Sequence, residues 1–572
     1  MKGIWSYIRP YMGYILLAMF IKLTGAALEL LIPYLMELIL DVKVPAGAQR
    51  EIYIYGLLMV LCAAGCLALN ILANRMSAVS SGKITLALRH DLFARLEGLS
   101  ARQMDALTVS SAESRLTSDT YNINQLLART QRLGIRAPIL LIGGVAMMLG
   151  MDAPLALVLI AMLPLIGIVV YAVTKCSLPL YTRQQSVLDK VVRVVQENIT
   201  GIRVIKALSK TDYEKGRFRA VNDELTAVDQ KAGLITAITN PTASLVLNLG
   251  LTVVVVVGAY RVNGGACKSG VIVAFLQYFT MILNAMLGIT RIFVMWSKGE
   301  ASARRVAAAL KTPEDLAVLP PEPAAPAPAH IEFQDVSFSY TGIGANLQHL
   351  SFRLEHGQTL GILGPTGAGK STVLNLLLRL YDADSGRILL DGRDIRTIPA
   401  GELRKKFGIV FQNDFVMEGT IGGNLRFFRP LDEEALDRAA ADAQADFIAA
   451  KEGGMDAEVM VRGNNLSGGQ KQRLLIGRAL AADPEILILD DASSALDYRT
   501  DANLRRALRR HHRNTTTVLV AQRISSLRHA DLILVLSDGV VLGEGTHETL
   551  METCPEYREI AEIQMGTAAS VS

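Results

Sequence analysis

Residues 364–371 read Gly364-Pro365-Thr366-Gly367-Ala368-Gly369-Lys370-Ser371, and this stretch decides the fold of the second half of the chain. The apolar run Thr359–Leu363 precedes it, and a leucine-rich segment follows it. Strand, glycine loop and helix in this order are the context of a phosphate-binding loop, in which backbone N–H groups and a helix N-terminus surround phosphate oxygens. We therefore expect Lys370 to contact the outer phosphates and Ser371 to bind Mg²⁺.

Two further patterns in the second half also suit phosphate and Mg²⁺ binding. The run Ile486-Leu487-Ile488-Leu489 is typical of a buried parallel strand, and Asp490 at its end suits the second Mg²⁺ ligand of phosphate-loop folds. Between this strand and the glycine loop, the stretch Leu466-Ser467-Gly468-Gly469-Gln470 opens a helix. A serine hydroxyl and glycine amides at a helix N-terminus form an anion site. These patterns predict an α/β phosphate-loop domain over residues 331–572.

The first half of the chain is more apolar than the second. The values for all 572 residues, 51% hydrophobic and a mean hydropathy of +0.31, average over both halves. A helix needs about 20 apolar residues to cross a bilayer. Six segments qualify: Tyr14–Leu40, Tyr53–Met76, Pro138–Met151, Leu155–Thr174, Ala243–Tyr260 and Val271–Met295. They predict an all-α membrane domain over residues 1–312, whose first segment exceeds a cleavable signal core and is therefore expected to be retained.

The basic residues of the first half predict its orientation. Lysines and arginines are concentrated in the connection between segments two and three and in that between segments four and five. Basic loops face the cytoplasm, so these connections, the N-terminus and everything after the sixth segment are expected there. Helical apolar spacing predicts that the connections extend the membrane helices. We expect polar turns near Ser118–Asn124 and Ser209–Phe218, which are either docking elements or merely solvated helix ends.

A charged side chain inside an apolar segment raises the free energy of membrane insertion, so such residues are candidates for a functional role. Lys22 and Glu29 share one face of the first segment, and Arg291 lies late in the sixth. Burial against a partner helix or snorkelling is the favoured interpretation, ahead of substrate contact. The polar and aromatic residues Gln277, Tyr278, Phe279 and Asn284 face either a cavity or neighbouring helices, and the sequence does not choose between the two.

The stretch LPPEPAAPAPAH at residues 319–330 separates the two halves. It cannot be helical, and it predicts a semi-rigid linker over 313–330. A net charge of +4 gives no argument for a nucleic-acid partner. The five cysteines lack the spacing of a disulfide framework or a zinc site; they are Cys62, Cys66, Cys176, Cys267 and Cys554.

The order of motifs in the second half resembles the ABC transporter superfamily. The motifs are Tyr340, GPTGAGKST at 364–372, Gln412, LSGGQ at 466–470, ILILDD at 486–491 and SALD at 494–497. Six spans with two long connections resemble the exporter branch of that family. The likeness covers nearly the whole chain, including ENITGIRVIKALSK at 197–210 and ASARRVAAAL at 301–310.

The resemblance implies that the chain binds ATP and Mg²⁺ with assignable residues. Tyr340 would stack on adenine, and residues Gly364 to Thr372 would surround the phosphates. Ser371, Gln412 and Asp490 would hold Mg²⁺, with Gln412 also communicating with the membrane domain. The signature Leu466, Ser467, Gly468, Gly469 and Gln470 would cap the γ-phosphate of ATP bound to a second subunit, because the phosphate loop of the same chain already surrounds its own nucleotide. Asp497 would lie at the contact between subunits.

Three positions depart from the family pattern. Most active relatives have glutamate directly after the strand carboxylate, whereas this chain has Asp491. The shorter side chain withdraws the carboxylate by roughly 1 Å, and misplacement on that scale costs about a hundredfold in rate. Gln522 replaces the switch histidine and carries no titratable nitrogen. Val461 replaces the usual glutamate of the loop before the signature.

Asp491 and Gln522 belong to the site built on Lys370, whereas the intact LSGGQ serves the opposite site. The chain thus resembles the degenerate-site subunit of heterodimeric bacterial multidrug exporters, which implies an ATP-hydrolysing exporter of amphipathic drugs, lipids or peptides in the cytoplasmic membrane. Two alternatives stay open: a homodimer with slow hydrolysis, and a non-hydrolysing, ATP-regulated subunit. The six spans exclude the soluble ATPases of DNA repair, and fusion of the two domains disfavours an uptake system.

Overall fold

The computed structural model describes residues 2–313, 315–320, 329–492 and 494–569. Some side chains within the helical stretches 163–182, 236–247, 287–294 and 565–569 lie outside this description. The chain forms two compact units. The first unit consists of Met1–Glu97 and Val109–Thr312, and the second of Gly98–Thr108 and Pro313–Ser572.

Long helices dominate residues 2–312. In chain order they are α1 (Trp5–Ile8), α2 (Met12–Leu38), α3 (Gln49–Glu97), α4 (Ala101–Leu107), α5 (Val109–Ser114), α6 (Thr120–Leu133), α7 (Arg136–Met151), α8 (Ala153–Thr200), α9 (Ile202–Ala207), α10 (Thr211–Asn263) and α11 (Ser269–Leu310). Of these, α4 belongs to the second unit. Continuous helices such as α3, with 49 residues, confirm that the connections prolong the apolar segments.

Five helical stretches among the described residues are long and apolar enough to cross a membrane: Trp5–Lys43, Gln49–Glu97, Val109–Met151, Ser244–Asn263 and Ser269–Met286. The fourth predicted segment lies in α8, where Ala153–Met162 forms a shorter apolar stretch and several later side chains are outside the description. A tight hairpin joins α7 to α8. Asp152 caps α8 by accepting a hydrogen bond from the Leu155 N–H at 2.9 Å, and it pairs with Arg261, also at 2.9 Å.

The charged residues Lys22 and Glu29 of α2 have partners on neighbouring helices. Lys22 is buried and donates hydrogen bonds to Asn70 at 2.5 Å and Asn74 at 3.3 Å. Glu29 pairs with Arg136 at 2.7 Å. Polar contacts with neighbouring helices therefore account for both residues. The Arg291 side chain lies outside the described residues, whereas Tyr278 and Phe279 are buried and Gln277 and Asn284 are exposed within this single chain.

The prediction of a turn near Ser118–Asn124 is wrong. Residues 115–119 form a π-helical turn that continues into α6, and the chain reverses instead at Gly98–Thr108. A capping box begins α4, in which Ser100 and Gln103 bond each other's backbone N–H groups. The polar run at 115–119 suits a helix because Asp119 is buried and paired with Arg305. The second reversal spans Gly201–Lys210, which overlaps only the start of the predicted turn.

The second unit is an α/β fold. Its strands are β1 (Ile331–Phe338), β2 (Leu347–Leu354), β3 (Thr359–Leu363), β4 (Ser385–Leu390), β5 (Arg393–Asp394), β6 (Phe407–Val410), β7 (Gly419–Thr420), β8 (Glu458–Val459), β9 (Ile486–Asp490), β10 (Thr516–Val520), β11 (Leu532–Ser537) and β12 (Val540–Gly545). Its helices after α4 are α12 (Lys370–Leu377), α13 (Ala400–Lys405), α14 (Ile421–Arg426), α15 (Glu433–Asp442), α16 (Gly468–Leu480), α17 (Tyr498–His511), α18 (Ile524–Leu527), α19 (His547–Thr553) and α20 (Pro555–Ala569).

A mostly parallel sheet positions the phosphate loop. Its strand order is β12-β11-β3-β10-β9-β6, with β12 antiparallel to β11. Every residue of β9 is buried, as expected for a central strand covered on both faces. Because β3, β9 and β10 run parallel, their carboxyl ends meet at one edge, where such sheets bind ligands. A second, antiparallel sheet has the order β2-β1-β4-β5.

Candidate functional site

The loop between β3 and α12 curls around open space. Gly369 has φ +99°, and a Cβ there would lie 2.8 Å from the carbonyl oxygen of Asn346, so only glycine fits. Gly367 has φ +89°, yet a Cβ there would meet nothing within 4 Å. Backbone conformation rather than packing therefore requires glycine at 367. The loop leads directly into the N-terminus of α12, as anion binding requires.

Lys370 bends back over this loop. Its Nζ donates hydrogen bonds to the carbonyl oxygens of Gly364 and Pro365, both at 2.7 Å. Burial lowers the pKa of Lys370, while the carboxylates of Asp490 and Asp491 oppose this effect. The ammonium group is thus incompletely solvated and is placed where a phosphate would restore its interactions.

Ser371 and Asp490 bring two side-chain oxygen atoms close together. The Ser371 hydroxyl lies 3.4 Å from an Asp490 carboxylate oxygen, and the Gln412 backbone N–H also bonds this carboxylate. Burial raises the pKa of Asp490, because a charged carboxylate is poorly solvated there. Hydroxyl and carboxylate oxygens with room for water are the donors that Mg²⁺ prefers.

Asp491 and Gln522 contact each other beside Lys370. The Gln522 amide Nε2 donates to an Asp491 carboxylate oxygen at 3.3 Å. Asp491 has φ +51°, a left-handed conformation that aspartate tolerates better than most residues. Burial raises the pKa of Asp491, and the cationic groups of Lys370 and Arg523 oppose this effect. The two residues that depart from the family pattern therefore face each other in one site.

Aromatic edge-to-face contacts and hydrogen bonds fix the position of Tyr340. Its ring makes edge contacts with Phe338 at 4.8 Å and Tyr381 at 5.1 Å between ring centroids. Asn375 donates a hydrogen bond to the Tyr340 hydroxyl at 3.0 Å. Asn346, which the sequence analysis missed, accepts a hydrogen bond from the Tyr340 backbone N–H at 3.0 Å. The aromatic ring is therefore fixed at the entrance to the site.

These groups line one cavity of about 330 Å³. Its lining consists of Tyr340, Asn346, Thr366, Gly367, Gly369, Lys370, Ser371, Thr372, Gln412, Asp490, Asp491, Val520, Ala521 and Gln522. The cavity suits a nucleotide. The open space over Gly367 and the poorly solvated ammonium of Lys370 suit a triphosphate, and the oxygen atoms of Ser371 and Asp490 suit Mg²⁺. Three other residues of the loop were also predicted to bind nucleotide but do not line this cavity: Gly364, Pro365 and Ala368.

The signature residues lie elsewhere on the same unit. None of residues 466–470 lines the cavity, and neither does Asp497. Ser467 caps the N-terminus of α16 in a capping box: its hydroxyl accepts a hydrogen bond from the Gln470 N–H at 3.3 Å, and the Gln470 side chain accepts one from the Ser467 N–H at 3.0 Å. Asp497 caps α17 through Thr500, whose backbone N–H lowers the pKa of that carboxyl. This chain alone therefore does not bring its signature onto its own phosphate loop.

A buried arginine connects the segment after Gln412 to the signature helix. Arg478 of α16 donates to the carbonyl oxygen of Phe415 at 3.0 Å and to that of Asn424 at 3.1 Å. It lies 3.7 Å from Asp414. Burial lowers the pKa of Arg478. The Val461 side chain, in the loop before the signature, is exposed.

Gln564 of the C-terminal helix α20 was also missed by the sequence analysis. Its amide donates to the backbone carbonyl of Gln522 at 2.9 Å and accepts from the Ile524 N–H at 2.8 Å. It thereby fixes the backbone on both sides of Arg523. No local sequence signal marks this contact, because it joins residues about 40 positions apart.

The fold and the cavity define a phosphate-loop ATPase joined to a helical membrane unit, and sequence comparisons identify the class. Residues 15–286 match the family described as the ABC transporter transmembrane region, and residues 347–494 match the family described as ABC transporter. An uncharacterized ABC transporter ATP-binding protein of Mycobacterium tuberculosis is 33% identical over 98% of both chains. A fatty acid ABC transporter ATP-binding/permease protein of Mycobacterium bovis is 32% identical, over 83% of this chain and 76% of that protein.

A solved structure of another ABC exporter is similar to this chain over nearly its whole length. The structure of a bacterial Atm1-family ABC exporter with ATP bound superposes with a TM-score of 0.80 and 26% identity, over 97% of this chain and 98% of the other. The chain belongs to the ABC transporter family, as an exporter-type half-transporter with its membrane domain fused to its ATP-binding domain. Such exporters bind ATP with Mg²⁺, work as dimers in a lipid membrane and export substrates at the expense of ATP.

Proposed function

We propose that this chain is the degenerate-site subunit of a heterodimeric exporter in a bacterial cytoplasmic membrane. Its own phosphate loop would retain ATP, and its signature would complete a hydrolytic site on a non-identical partner. The observation that carries the proposal is the hydrogen bond between Gln522 and Asp491. Both substitutions fall in one site, whereas the signature helix keeps its complete capping box.

The residues of the cavity suit ATP binding better than hydrolysis. Lys370 would bind the outer phosphates, Ser371, Gln412 and Asp490 would hold Mg²⁺, and Tyr340 would stack on adenine. Mg²⁺ neutralises phosphate charge and helps to orient the reacting groups. Hydrolysis also needs a carboxylate that orients water. In this chain the Asp491 carboxylate is short and accepts a hydrogen bond from Gln522, which itself has no titratable proton.

Orientation and domain roles follow from the same proposal. Residues 1–312 would form the membrane domain and residues 331–572 the ATP-binding domain, joined by the linker at 313–330. The basic connections would place the N-terminus and the ATP-binding domain in the cytoplasm. Asp497 would lie at the subunit contact, and Val461 would alter coupling to the membrane loops of the partner.

The substrate is proposed to be amphipathic: a drug, a lipid or a peptide. Exposed leucine, isoleucine and valine side chains are frequent on the membrane helices and suit an apolar substrate as well as lipid. The fatty-acid transporter of Mycobacterium bovis, named for a lipid-like substrate, favours lipids within this class.

Isolation of the chain tests the heterodimer. Purified alone, it should bind ATP and hydrolyse little, because its own site lacks the usual glutamate and histidine. In the co-purified pair, Asp491→Ala should lower ATPase activity by less than about threefold, while alanine at the equivalent glutamate of the partner should lower it about a hundredfold or more. ATP binding by filter assay and phosphate release measure the two quantities.

Two results would favour the alternatives. Rapid turnover by the isolated chain, or equal losses from both carboxylate substitutions, would indicate a homodimer with two equivalent sites. Retention of transport after the partner's glutamate is replaced would indicate that ATP acts only as a regulatory ligand.

We also propose that α4, which lies between α3 and α5 in the chain, carries the nucleotide signal to the membrane domain. Although the sequence assigns residues 98–108 to the membrane domain, they pack within the nucleotide-binding unit. Tyr381, whose ring contacts Tyr340, donates a hydrogen bond to Asp105 of α4. Burial and this bond raise the pKa of Tyr381, so its hydroxyl stays protonated. Ser100 also donates to Asp315 at 2.8 Å.

Tyr381→Phe should therefore weaken coupling while sparing ATP binding. The phenyl ring keeps the contact with Tyr340, and only the hydrogen bond to the Asp105 carboxylate is lost, which contributes about 1.5–3 kcal/mol because the acceptor is charged. We expect unchanged ATP affinity and a several-fold loss of substrate-stimulated ATPase in proteoliposomes. Tyr557→Phe, which removes the hydroxyl contact with His547 at 2.8 Å in the same unit but away from the nucleotide cavity, is the matched control. Equal stimulation in both variants would show that this bond does not transmit the signal.

A further inference from the structure

Two histidines and an aspartate form a cluster in the nucleotide-binding unit. His330 directly precedes β1, His356 lies in the turn between β2 and β3, and Asp391 lies in the turn between β4 and β5. One potential ligand atom of each residue lies within 4.8 Å of those of the other two. None of the three residues lines the nucleotide cavity. The cluster therefore has no part in the ATP site described above.

His330 is the fixed member of the cluster. Its side chain is 1% exposed, and its Nδ1 lies 2.7 Å from the Thr516 hydroxyl. Its backbone is held on both sides, because its N–H donates to Leu354 at 2.8 Å and its carbonyl accepts from the Asp391 N–H at 2.9 Å. Its Nε2 is buried and has no hydrogen-bond partner among the described residues. A buried ring nitrogen without a partner is costly and calls for an explanation.

The other two members are adaptable. His356 Nε2 lies 2.9 Å from Asp391 Oδ1, and their side chains are 63% and 39% exposed. The same carboxylate oxygen lies 3.9 Å from His330 Nε2, which is too long for a hydrogen bond. The two imidazole rings stack with centroids 3.8 Å apart. Two stacked rings cannot both aim a nitrogen at one ion, so the exposed His356 side chain would have to rotate out of the stack to bind an ion together with His330 and Asp391.

We propose that His330, His356 and Asp391 bind a divalent cation of the zinc type. Imidazole and carboxylate ligands suit Zn²⁺, whereas Mg²⁺ and Ca²⁺ prefer oxygen alone. Tetrahedral bonds of about 2.0–2.1 Å separate ligand atoms by about 3.3 Å, and the distance of 3.9 Å between His330 Nε2 and Asp391 Oδ1 is close to that value. The Thr516 hydroxyl orients His330 through the other ring nitrogen, as second ligand shells do. The exposed side of the cluster leaves the fourth position to water.

The location indicates a stabilising role rather than a catalytic one. Thr516 begins β10 and also accepts a hydrogen bond from the Gly357 N–H, just before β3, at 3.1 Å. The nucleotide residues follow the opposite, carboxyl ends of β3 and β10. A cation here would join the beginning of β1 to two turns and, through Thr516, to the central sheet. It should therefore raise the melting temperature without changing ATP affinity.

Zinc titration of the full chain tests the site. The chain, purified in detergent without a histidine tag and treated with a chelator, is titrated with Zn²⁺ against a chromophoric competitor. We expect one equivalent bound per chain, with an increase in melting temperature. His356→Ala should weaken binding at least about a hundredfold, because loss of outer-shell partners alone costs up to that much. His356 is exposed, so this variant should fold normally. His330→Ala and Asp391→Asn should show the same loss.

Two other histidine–aspartate groups in the same unit serve as controls. His349 pairs with Asp335 at 2.7 Å on the surface, and His511 and His512 both contact Asp442. His349→Ala and the double variant His511→Ala/His512→Ala should each keep the bound equivalent. Absence of stoichiometric binding to the unaltered chain, or its persistence in His356→Ala, would overturn the proposal. Loss of binding only in the double variant would overturn it as well.

Discussion

Gly468→Asp is expected to reduce ATP hydrolysis by the assembled transporter at least about a hundredfold, which is the size of effect produced by removing one anion-stabilising donor. Gly468 is the first residue of α16, is exposed, and has nothing within 4 Å of the position that a Cβ would occupy. The new carboxylate would therefore not disturb this chain. It would place a negative charge where the signature is proposed to meet the γ-phosphate held by the partner.

The folded chain should tolerate this change. An acidic residue in the first turn of a helix interacts favourably with the helix dipole, so the melting temperature should be unchanged or slightly higher. Gly401→Asp is a matched control, because Gly401 is also exposed, lies in the first turn of α13 and has open space around its Cβ position. Phosphate release by both variant pairs measures the effect. Equal activity of the two variants would mean that the signature of this chain completes no hydrolytic site.

The sequence predicted the elements of the site because each has a local signal. The glycine loop, the run ending at Asp490 and the signature are continuous motifs whose chemistry depends on neighbouring residues. The glycine loop follows β3 and Asp490 ends β9. Because these strands run parallel in one sheet, Lys370, Ser371 and Asp490 line the same cavity. The extension of the apolar segments into long helices was likewise predictable from helical spacing and few glycines or prolines.

The features that the sequence analysis missed depend on contacts distant in the chain. Asn346 positions the backbone of Tyr340, and Gln564 holds the loop of Gln522 from a helix about 40 residues away. The turn misplaced to Ser118–Asn124 is a different case. A local signal, Ser100 followed three residues later by Gln103, was present at the true turn. The polar run at 115–119 was more conspicuous, but it is polar because Asp119 pairs with Arg305 inside the unit.

The mutual contact of Asp491 and Gln522 also makes a gain of activity predictable. We expect Asp491→Glu combined with Gln522→His to raise the ATPase rate of the purified chain about a hundredfold. Glutamate extends the carboxylate by roughly 1 Å, a displacement whose cost in rate is of that order. Histidine in place of Gln522 removes the amide that donates to Asp491 at 3.3 Å and adds a titratable nitrogen. The gain requires two copies of the chain to pair, so that the intact LSGGQ of one copy completes the repaired site of the other, in the way proposed for the partner.

A matched variant separates the catalytic effect of the glutamate carboxylate from the effect of a longer side chain on the backbone at position 491. Asp491→Gln with Gln522→His introduces a side chain of the same length as glutamate at the same backbone conformation of φ +51°, so any strain at this position is shared. Only the carboxylate is absent, and this variant should stay as slow as the unaltered chain. If the glutamate variant binds ATP normally but is no faster than the glutamine variant, a position other than Asp491 and Gln522 limits hydrolysis. The exposed Val461 would then be the next position to restore to glutamate.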